Sequence, residues 1–271
     1  MDQKIKNMIN EADMVLIGIG EEFEGIKYFK NMPEYQKLQT QAEETGKDWM
    51  IPALNRYFGE NAIVQEQNEG VSEETFHAYA KRGLKNLAEL LQGKNYFVIT
   101  TTTNDLVWEI GFKEGRVVAP CGGSLRKQCM TGKECTVEPV MLTEEETKQL
   151  EMAIHSADLE NVRLEKCECG SEMLLNNIYS ENYDERGYLP DWQIYTKWLQ
   201  GTLNRKLCIL ELGVGMKCPS VIRFPFEKIG YFNQKADFIR VNQNLYHLTE
   251  ELKEKGISIS ENAVDWLTSM C

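Results

Sequence analysis

Short apolar runs and longer helical patterns alternate along the chain. Apolar runs that end in glycine or polar residues predict strands, and the clearest of them are Met14–Ile17, Tyr96–Thr100 and Lys206–Leu212. Apolar residues at helical spacing predict a helix over Ser72–Leu91, with Ser72 as its cap and Gly93 just beyond its end.

The same patterns predict further elements. The strands are Arg116–Ala119, Val221–Phe224 and Phe238–Val241, and the helices are a segment opened by a Thr143–Glu146 capping box, Asp191–Gln200, Leu245–Lys255 and Ala263–Met270. Because strands alternate with helices, we expect an α/β fold with a mainly parallel sheet covered on both faces.

Composition and charge narrow the functional classes. The 271 residues carry 42 acidic and 30 basic side chains, a net charge of −12 that would repel a nucleic-acid backbone. An acidic surface suits a basic protein partner, although solubility alone also explains it. The sequence lacks the apolar run of about 20 residues that a membrane helix needs and the apolar block of a secretory signal. We therefore expect a cytoplasmic protein that binds neither membrane nor nucleic acid.

The segment from Tyr96 to Cys135 carries the most specific signal. Its first strand runs into a threonine cluster and Asn104-Asp105, and its second strand ends at Pro120-Cys121-Gly122-Gly123, followed by two spaced cysteines. This layout resembles the core of the sirtuins, NAD-dependent protein deacylases and ADP-ribosyltransferases. The resemblance covers most of the chain and is weakest from Glu24 to Glu69.

The resemblance implies one sirtuin-type domain over residues 1–271. Its large lobe would be Rossmann-like and include about 1–23, 71–125 and 190–271. The smaller lobe would combine a helical insertion over about 24–70 with a zinc-binding module over about 126–189.

The reactive positions of the family pattern are substituted here. Thr102 stands where sirtuins have Asn, Asn104 where they have Asp, and Cys121 where they have the general-base His. These three are the candidate catalytic positions; a polar strand end and a small turn residue are the simpler interpretations. The macrodomain-associated sirtuins also lack the His and have Gln there. A thiol nucleophile at Cys121 would need a cation nearby, and Arg126 or Lys127 are close in sequence.

Other positions imply a site for NAD or ADP-ribose. They are Gly18 and Gly20 in the glycine turn after the first strand, Thr100 and Asp105 in the threonine segment, the Gly213-Val214-Gly215 turn, and Asn242. The Gly213–Gly215 turn resembles the nucleotide-side motif of the macrodomain-associated class, and Asn242 stands where sirtuins contact the adenosine ribose. Glu21, Glu22 and Glu24 beside the glycine turn would oppose a pyrophosphate unless they point away from it.

Four of the eight cysteines are spaced as two pairs, Cys129–Cys135 and Cys167–Cys169. Two short loops that bring four thiolates together suit structural zinc, and the pairs match the order of the sirtuin zinc module. Only one residue separates Cys167 from Cys169, whereas two are usual in the sirtuin zinc module. A smaller lobe without a metal is the alternative.

Two functions follow from the resemblance. The first is a diverged sirtuin-like protein that binds NAD or ADP-ribose with little or no standard deacetylase activity. The second is an active NAD-dependent protein ADP-ribosyltransferase or lysine deacylase with non-standard catalytic residues. Either function allows a protein substrate or partner, which could be basic or carry a lipoyl or acyl group.

Overall fold

A computed structural model describes residues 2–64 and 74–270 of the chain. In chain order the strands are β1 (Met14–Ile19), β2 (Ile63–Val64), β3 (Glu74–Thr75), β4 (Asn95–Thr100), β5 (Val117–Val118), β6 (Gly122–Cys129), β7 (Val140–Met141), β8 (Met173–Asn177), β9 (Leu207–Leu212), β10 (Ala236–Val241) and β11 (Gly256–Ile259). The helices are α1 (Asp2–Glu11), α2 (Ile26–Phe29), α3 (Pro33–Glu44), α4 (Ile51–Asn61), α5 (Phe76–Leu90), α6 (Glu144–His155), α7 (Leu189–Gln200), α8 (Arg223–Phe232) and α9 (Ala263–Ser269).

The main sheet has six strands in the order β11-β10-β9-β1-β4-β5, and every pairing in it is parallel. In the central strand β1, Ile17 pairs with Val98 of β4 on one side and with Leu210 of β9 on the other. Every residue of β1 and β9 is buried, as expected of strands covered on both faces. The predicted Rossmann-like α/β sheet is confirmed.

Helices cover both faces of this sheet. On one face, Ile9 of α1, Leu84 of α5 and Leu267 of α9 share a core with β1. On the other face, Trp198 of α7 and Phe226 of α8 pack against the sheet.

A separate hydrophobic cluster forms the smaller lobe. It contains side chains from α2, α3, α4 and α6 and from the strands β6 and β8 of the three-stranded antiparallel sheet β7-β6-β8. A buried ion pair between Lys127 of β6 and Glu146 of α6, with an N–O distance of 2.6 Å, ties the sheet to the last of these helices. Thr143 and Glu146 make the predicted capping box.

Three predicted elements differ in the structure. Val221–Phe224 is not a strand, because Ile222 and Phe226 are buried four residues apart and the helix α8 begins at Arg223. The helix predicted over Leu245–Lys255 is reduced to a 3₁₀ turn at Glu250–Leu252, since Arg223 and Arg240 take the carbonyl oxygens of Leu245 and His247. The helix α5 begins at Phe76 with Thr75 as its cap; the predicted cap, Ser72, lies outside the described residues.

Within the described part of the chain, no helix combines the length and apolarity needed to cross a membrane.

Candidate functional site

The candidate site lies at the carboxyl edge of the main sheet. The chain leaves β1 toward β4 and β5 on one side and later returns to β9 and β10 on the other. Such a change of direction opens a crevice beyond the strand ends, where open parallel sheets bind ligands. The glycine turn after β1, the threonine segment after β4 and the turn after β9 meet here.

The glycine turn approaches the turn after β9 closely. A Cβ on Gly20 would lie 2.3 Å from Val214 Cα, so no side chain fits between the two turns. The backbone N–H of Gly20 donates to Leu212 O at 2.9 Å. Gly20 therefore lets the two turns pack together, whereas Gly18 makes room for α8, since a Cβ there would lie 2.5 Å from Ile222 Cγ2.

The carboxylates of Glu21 and Glu22 accept hydrogen bonds from backbone N–H groups at this edge. Glu21 accepts hydrogen bonds from the backbone N–H groups of Gly215 and Lys217. Glu22 accepts from Gln243 N at 2.8 Å and from Ala263 N at 2.6 Å, and burial raises the pKa of its carboxyl.

Backbone N–H groups in such turns are the donors that bind phosphate oxygens. Here two carboxylates occupy four of them and add negative charge beside the crevice. A pyrophosphate bound at these amides would have to displace the two carboxylates.

In the threonine segment the hydroxyl groups of Thr100, Thr102 and Thr103 have hydrogen-bond partners, whereas the buried Thr101 Oγ1 has none among the described residues. Thr100 Oγ1 lies 2.7 Å from Thr102 Oγ1 and 3.2 Å from Ile19 O, its hydrogen-bond partners. Both threonines are buried, so Thr102 presents a short, already bonded hydroxyl at the position of the sirtuin Asn.

Asn104 and Asp105 are also turned to the protein itself. Asn104 Nδ2 donates to Phe23 O at 2.8 Å, which joins the threonine segment to the glycine turn. The buried Asp105 carboxylate accepts from Ser124 Oγ at 2.7 Å, and burial raises its pKa. A Cβ on Gly123 would lie 2.2 Å from Asp105 Oδ1, so glycine is required for this approach.

Glu24 is a buried carboxylate next to these groups. Its Oε1 accepts from the backbone N–H and the hydroxyl of Thr103, whereas its Oε2 has no partner among the described residues. Burial raises the pKa of Glu24 to about 7, although the Thr103 hydrogen bonds oppose the shift. The site therefore contains one carboxyl that changes charge near neutral pH.

Cys121 is buried, and its pKa is raised by the neighbouring Cys218 thiol and by burial. The pKa of Cys218, which is only partly buried, is lowered to about 7, chiefly by Cys121. The nearby cation is Lys217, whose Nζ contacts the Tyr179 hydroxyl and lies 4.2 Å from the ring centroid. The cations expected from sequence lie elsewhere: Lys127 pairs with Glu146 and Arg126 lines a neighbouring cavity.

The predicted adenosine-side residues shape the loop after β10. Asn242 Nδ2 donates to Val214 O at 3.1 Å, and its Oδ1 accepts from the N–H groups of Asn244 and Leu245. Gly213 adopts a left-handed backbone with φ of 63°. Gly213, Val214, Gly215 and Asn242 thus form one connected turn at the crevice.

The four cysteines of the smaller lobe come together. All four sulfurs lie within 4.8 Å of one another, and Sγ–Sγ distances are 3.6 Å for Cys129–Cys169 and for Cys135–Cys167. Tetrahedral zinc with Zn–S bonds of about 2.3 Å separates its sulfurs by roughly 3.8 Å. The donor set and its spacing fit structural zinc, with Cys129, Cys135, Cys167 and Cys169 as ligands.

A cavity of about 280 Å³ lies beyond β5, next to Gly122. Trp108, Tyr183 and Tyr188 give it aromatic walls, and Arg126 and Asp191 supply charge. It is large enough for an extended side chain and lies beside the turn that carries Cys121.

Sequence reasoning missed the roles of Glu24, Lys217 and Cys218. Lys217 and Cys218 come within three residues of Gly215, so the predicted Gly213–Gly215 turn could have indicated that both lie at the crevice. The sequence marked Glu24 only as an acid beside the glycine turn, because its hydrogen bonds are with Thr103, 79 residues away.

Comparisons with known proteins agree with this fold. No protein-family model matches the chain. A Staphylococcus aureus protein named protein ADP-ribosyltransferase is 20% identical over 287 residues, covering 99% of this chain and 88% of that protein.

Solved structures of Sir2 sirtuins match nearly the whole chain. A Sir2 homologue mutant in complex with ADP-ribose has a TM-score of 0.56 and 15% identity, covering 100% of this chain and 95% of the other. Sir2Tm bound to a propionylated peptide has a TM-score of 0.52 and 14% identity, with 98% and 94% covered. The chain has the sirtuin fold, which confirms the resemblance found in the sequence.

Proposed function

We propose that the chain is a sirtuin-fold protein that has diverged from deacetylation and binds NAD or ADP-ribose only in competition with its own carboxylates. The observation that carries this proposal is the seating of Glu21 and Glu22 on four backbone N–H groups of the crevice. A nucleotide phosphate must displace these carboxylates, so its affinity is low.

The chemistry of the reactive positions supports the same conclusion. A general base for a ribose hydroxyl needs a pKa near the working pH, as the sirtuin His has. Cys121 is buried and its pKa is raised, and Thr102 has no amide to position a ribose. Standard deacylation by the family route is therefore lost.

A second candidate is protein ADP-ribosyl transfer by a non-standard route. The aromatic cavity beside Gly122 favours it, because an acceptor side chain could reach the crevice through it. The staphylococcal relative bears the name of this activity, and Sir2Tm is described bound to a propionylated peptide. Under this second candidate the substrate is a protein that is basic or carries a lipoyl or acyl group. The same candidate includes descent from the macrodomain-associated class.

Nicotinamide release from NAD separates the two candidates. The purified protein is incubated with NAD alone, with acetyl- and propionyl-lysine peptides, and with a lipoylated carrier protein. The first proposal predicts no release above the rate without enzyme in every case. Release that depends on one acceptor would contradict it and support transfer.

A further inference from the structure

Four large apolar side chains are exposed on the elements that surround the cavity beyond β5. Trp108 and Met141 line the cavity and are 46% and 53% exposed. Val140, the neighbour of Met141 in β7, and Ile194, one helical turn after Asp191 in α7, are exposed as well. Exposed apolar side chains grouped in this way are typical of a surface that a protein partner covers.

The two tyrosines of the cavity use their hydroxyl groups within the protein. Tyr183 donates to Pro120 O at 3.0 Å, and Tyr188 donates to Glu185 Oε1 at 3.3 Å. Their rings are stacked with centroids 6.2 Å apart. Since the hydroxyls are already bonded, the tyrosines offer a ligand mainly ring surface, which suits a cation or another planar group.

Asp191 is the uncompensated charge of the cavity. It is half-buried in the first turn of α7, and its carboxylate accepts no hydrogen bond and forms no ion pair with any described residue. The other acid that lines the cavity, Asp105, already accepts from the N–H and the hydroxyl of Ser124. Arg126 also lines the cavity but is exposed, and burial raises the pKa of Asp191 although Arg126 opposes the shift.

A carboxylate with two unbonded oxygens beside ring surfaces matches a guanidinium group. A guanidinium is planar and stacks on aromatic rings, and its paired N–H groups bind both oxygens of a carboxylate. A lysine ammonium is a more strongly hydrated point charge and lacks this flat face. The net charge of −12 also attracts a basic partner.

We propose that this surface docks a basic protein partner, whose arginine side chain enters the cavity, pairs with Asp191 and stacks on the rings of Trp108, Tyr183 and Tyr188. The arginine is an anchor and is not itself modified. Its binding needs no nucleotide, so failure of this proposal would leave both candidate functions as they are.

The test is a titration of the full-length protein, labelled at its methionine methyl groups, with Nα-acetyl-arginine methylamide up to about 20 mM. Met141 reports binding by NMR because it lines the cavity, and the Met141→Leu protein identifies its resonance. Met152 on α6, which is 71% exposed, is the internal control. We expect only the Met141 resonance to shift and to saturate, with a Kd of about 1 mM. An unmoved Met141 resonance would overturn the proposal.

Two further probes test the chemistry of the anchor. Nα-acetyl-citrulline methylamide keeps the shape of the arginine probe but is neutral, and it should bind about fivefold more weakly. The lysine counterpart should bind about threefold more weakly than arginine, since its ammonium cannot stack on the rings. Equal affinity for arginine and citrulline would overturn the role of charge, and tighter binding of lysine would overturn the choice of a guanidinium.

Variants assign the roles of the cavity residues. Asp191→Asn should weaken binding of the arginine probe about fivefold, and Trp108→Ala about threefold. Arg126→Gln removes a competing cation and should strengthen binding about twofold. Glu89→Gln, at an exposed position of α5, is the control for loss of a charge and should leave the affinity unchanged. Unchanged affinity in a folded Asp191→Asn protein, or weaker binding in Arg126→Gln, would contradict the assignment.

Discussion

At the scale of single residues, Glu24 shows how the fold changes an ordinary carboxyl group. Its position in the 3₁₀ turn after Gly20 places it under the threonine segment, where it is 3% exposed. Burial opposes ionisation, and the two hydrogen bonds from Thr103 compensate only in part. The pKa of Glu24 therefore rises from 4.5 to about 7.

This shift predicts a pH-dependent contribution to stability. The pKa of Glu24 is higher in the folded state than in the unfolded state. The contribution of Glu24 to the free energy of unfolding is therefore complete below pH 4.5 and is lost as the pH rises to about 7. The full loss is about 3 kcal/mol. Wild type should thus lose up to this much unfolding free energy relative to Glu24→Gln between about pH 5 and pH 8, as measured by urea unfolding.

Glu89→Gln is the control for Glu24→Gln, because it removes one carboxylate at an exposed position. A stability difference between wild type and Glu24→Gln that stays constant with pH would contradict the shifted pKa.

At the scale of elements, strands were easier to predict than the loops that follow them. The strands β1, β4 and β9 are continuous apolar runs, so their positions follow from local sequence alone. The segment after β10 reads as a helix, but the buried Arg223 and Arg240 bind its carbonyl oxygens. Both arginines also pair with the buried Glu211, a tertiary arrangement that no local pattern encodes.

The four-cysteine cluster predicts a metal-dependent element. Three of its cysteines belong to the hydrophobic cluster of the smaller lobe, so zinc would support packing as well as close two loops. Cys167→Ser should lower zinc from one per chain to none and cost about 3 kcal/mol or more, a fall in Tm of roughly 6–12 °C.

Zinc content by atomic emission and Tm by calorimetry check this prediction. Cys208→Ala is the matched control, since it removes a buried thiol from β9 and should leave zinc unchanged. A wild-type protein purified without chelator that contains no zinc would contradict the assignment.

At the scale of the whole molecule, the sequence predicts the scaffold better than the state of its crevice. Residues that are close in sequence determine the strands of the parallel sheet, the glycine turns and the paired cysteines. The contacts of the two glutamates depend on residues far away in the sequence: Glu22 meets Ala263 across 241 residues and Glu21 meets Gly215 across 194. The sequence showed acidic residues beside a glycine turn but could not show that they accept hydrogen bonds from distant backbone amides.

The central claim is that Glu21 and Glu22 hold the place of a nucleotide phosphate. Glu21→Gln combined with Glu22→Gln keeps the shape of both side chains and removes both charges. Each new amide has one NH₂ group, which faces one of the two backbone N–H donors that the carboxylate had bound. Phosphate should therefore compete more easily for these amides. The matched control is Glu89→Gln with Glu254→Gln, two exposed positions that change net charge equally.

The most direct measurement is the Kd of ADP-ribose by isothermal titration calorimetry for these three proteins. We predict weak binding by wild type and by the control, and at least about tenfold tighter binding, near 1.4 kcal/mol, by the Glu21/Glu22 double variant. Equal affinity in all three proteins, with the double variant folded, would contradict the account.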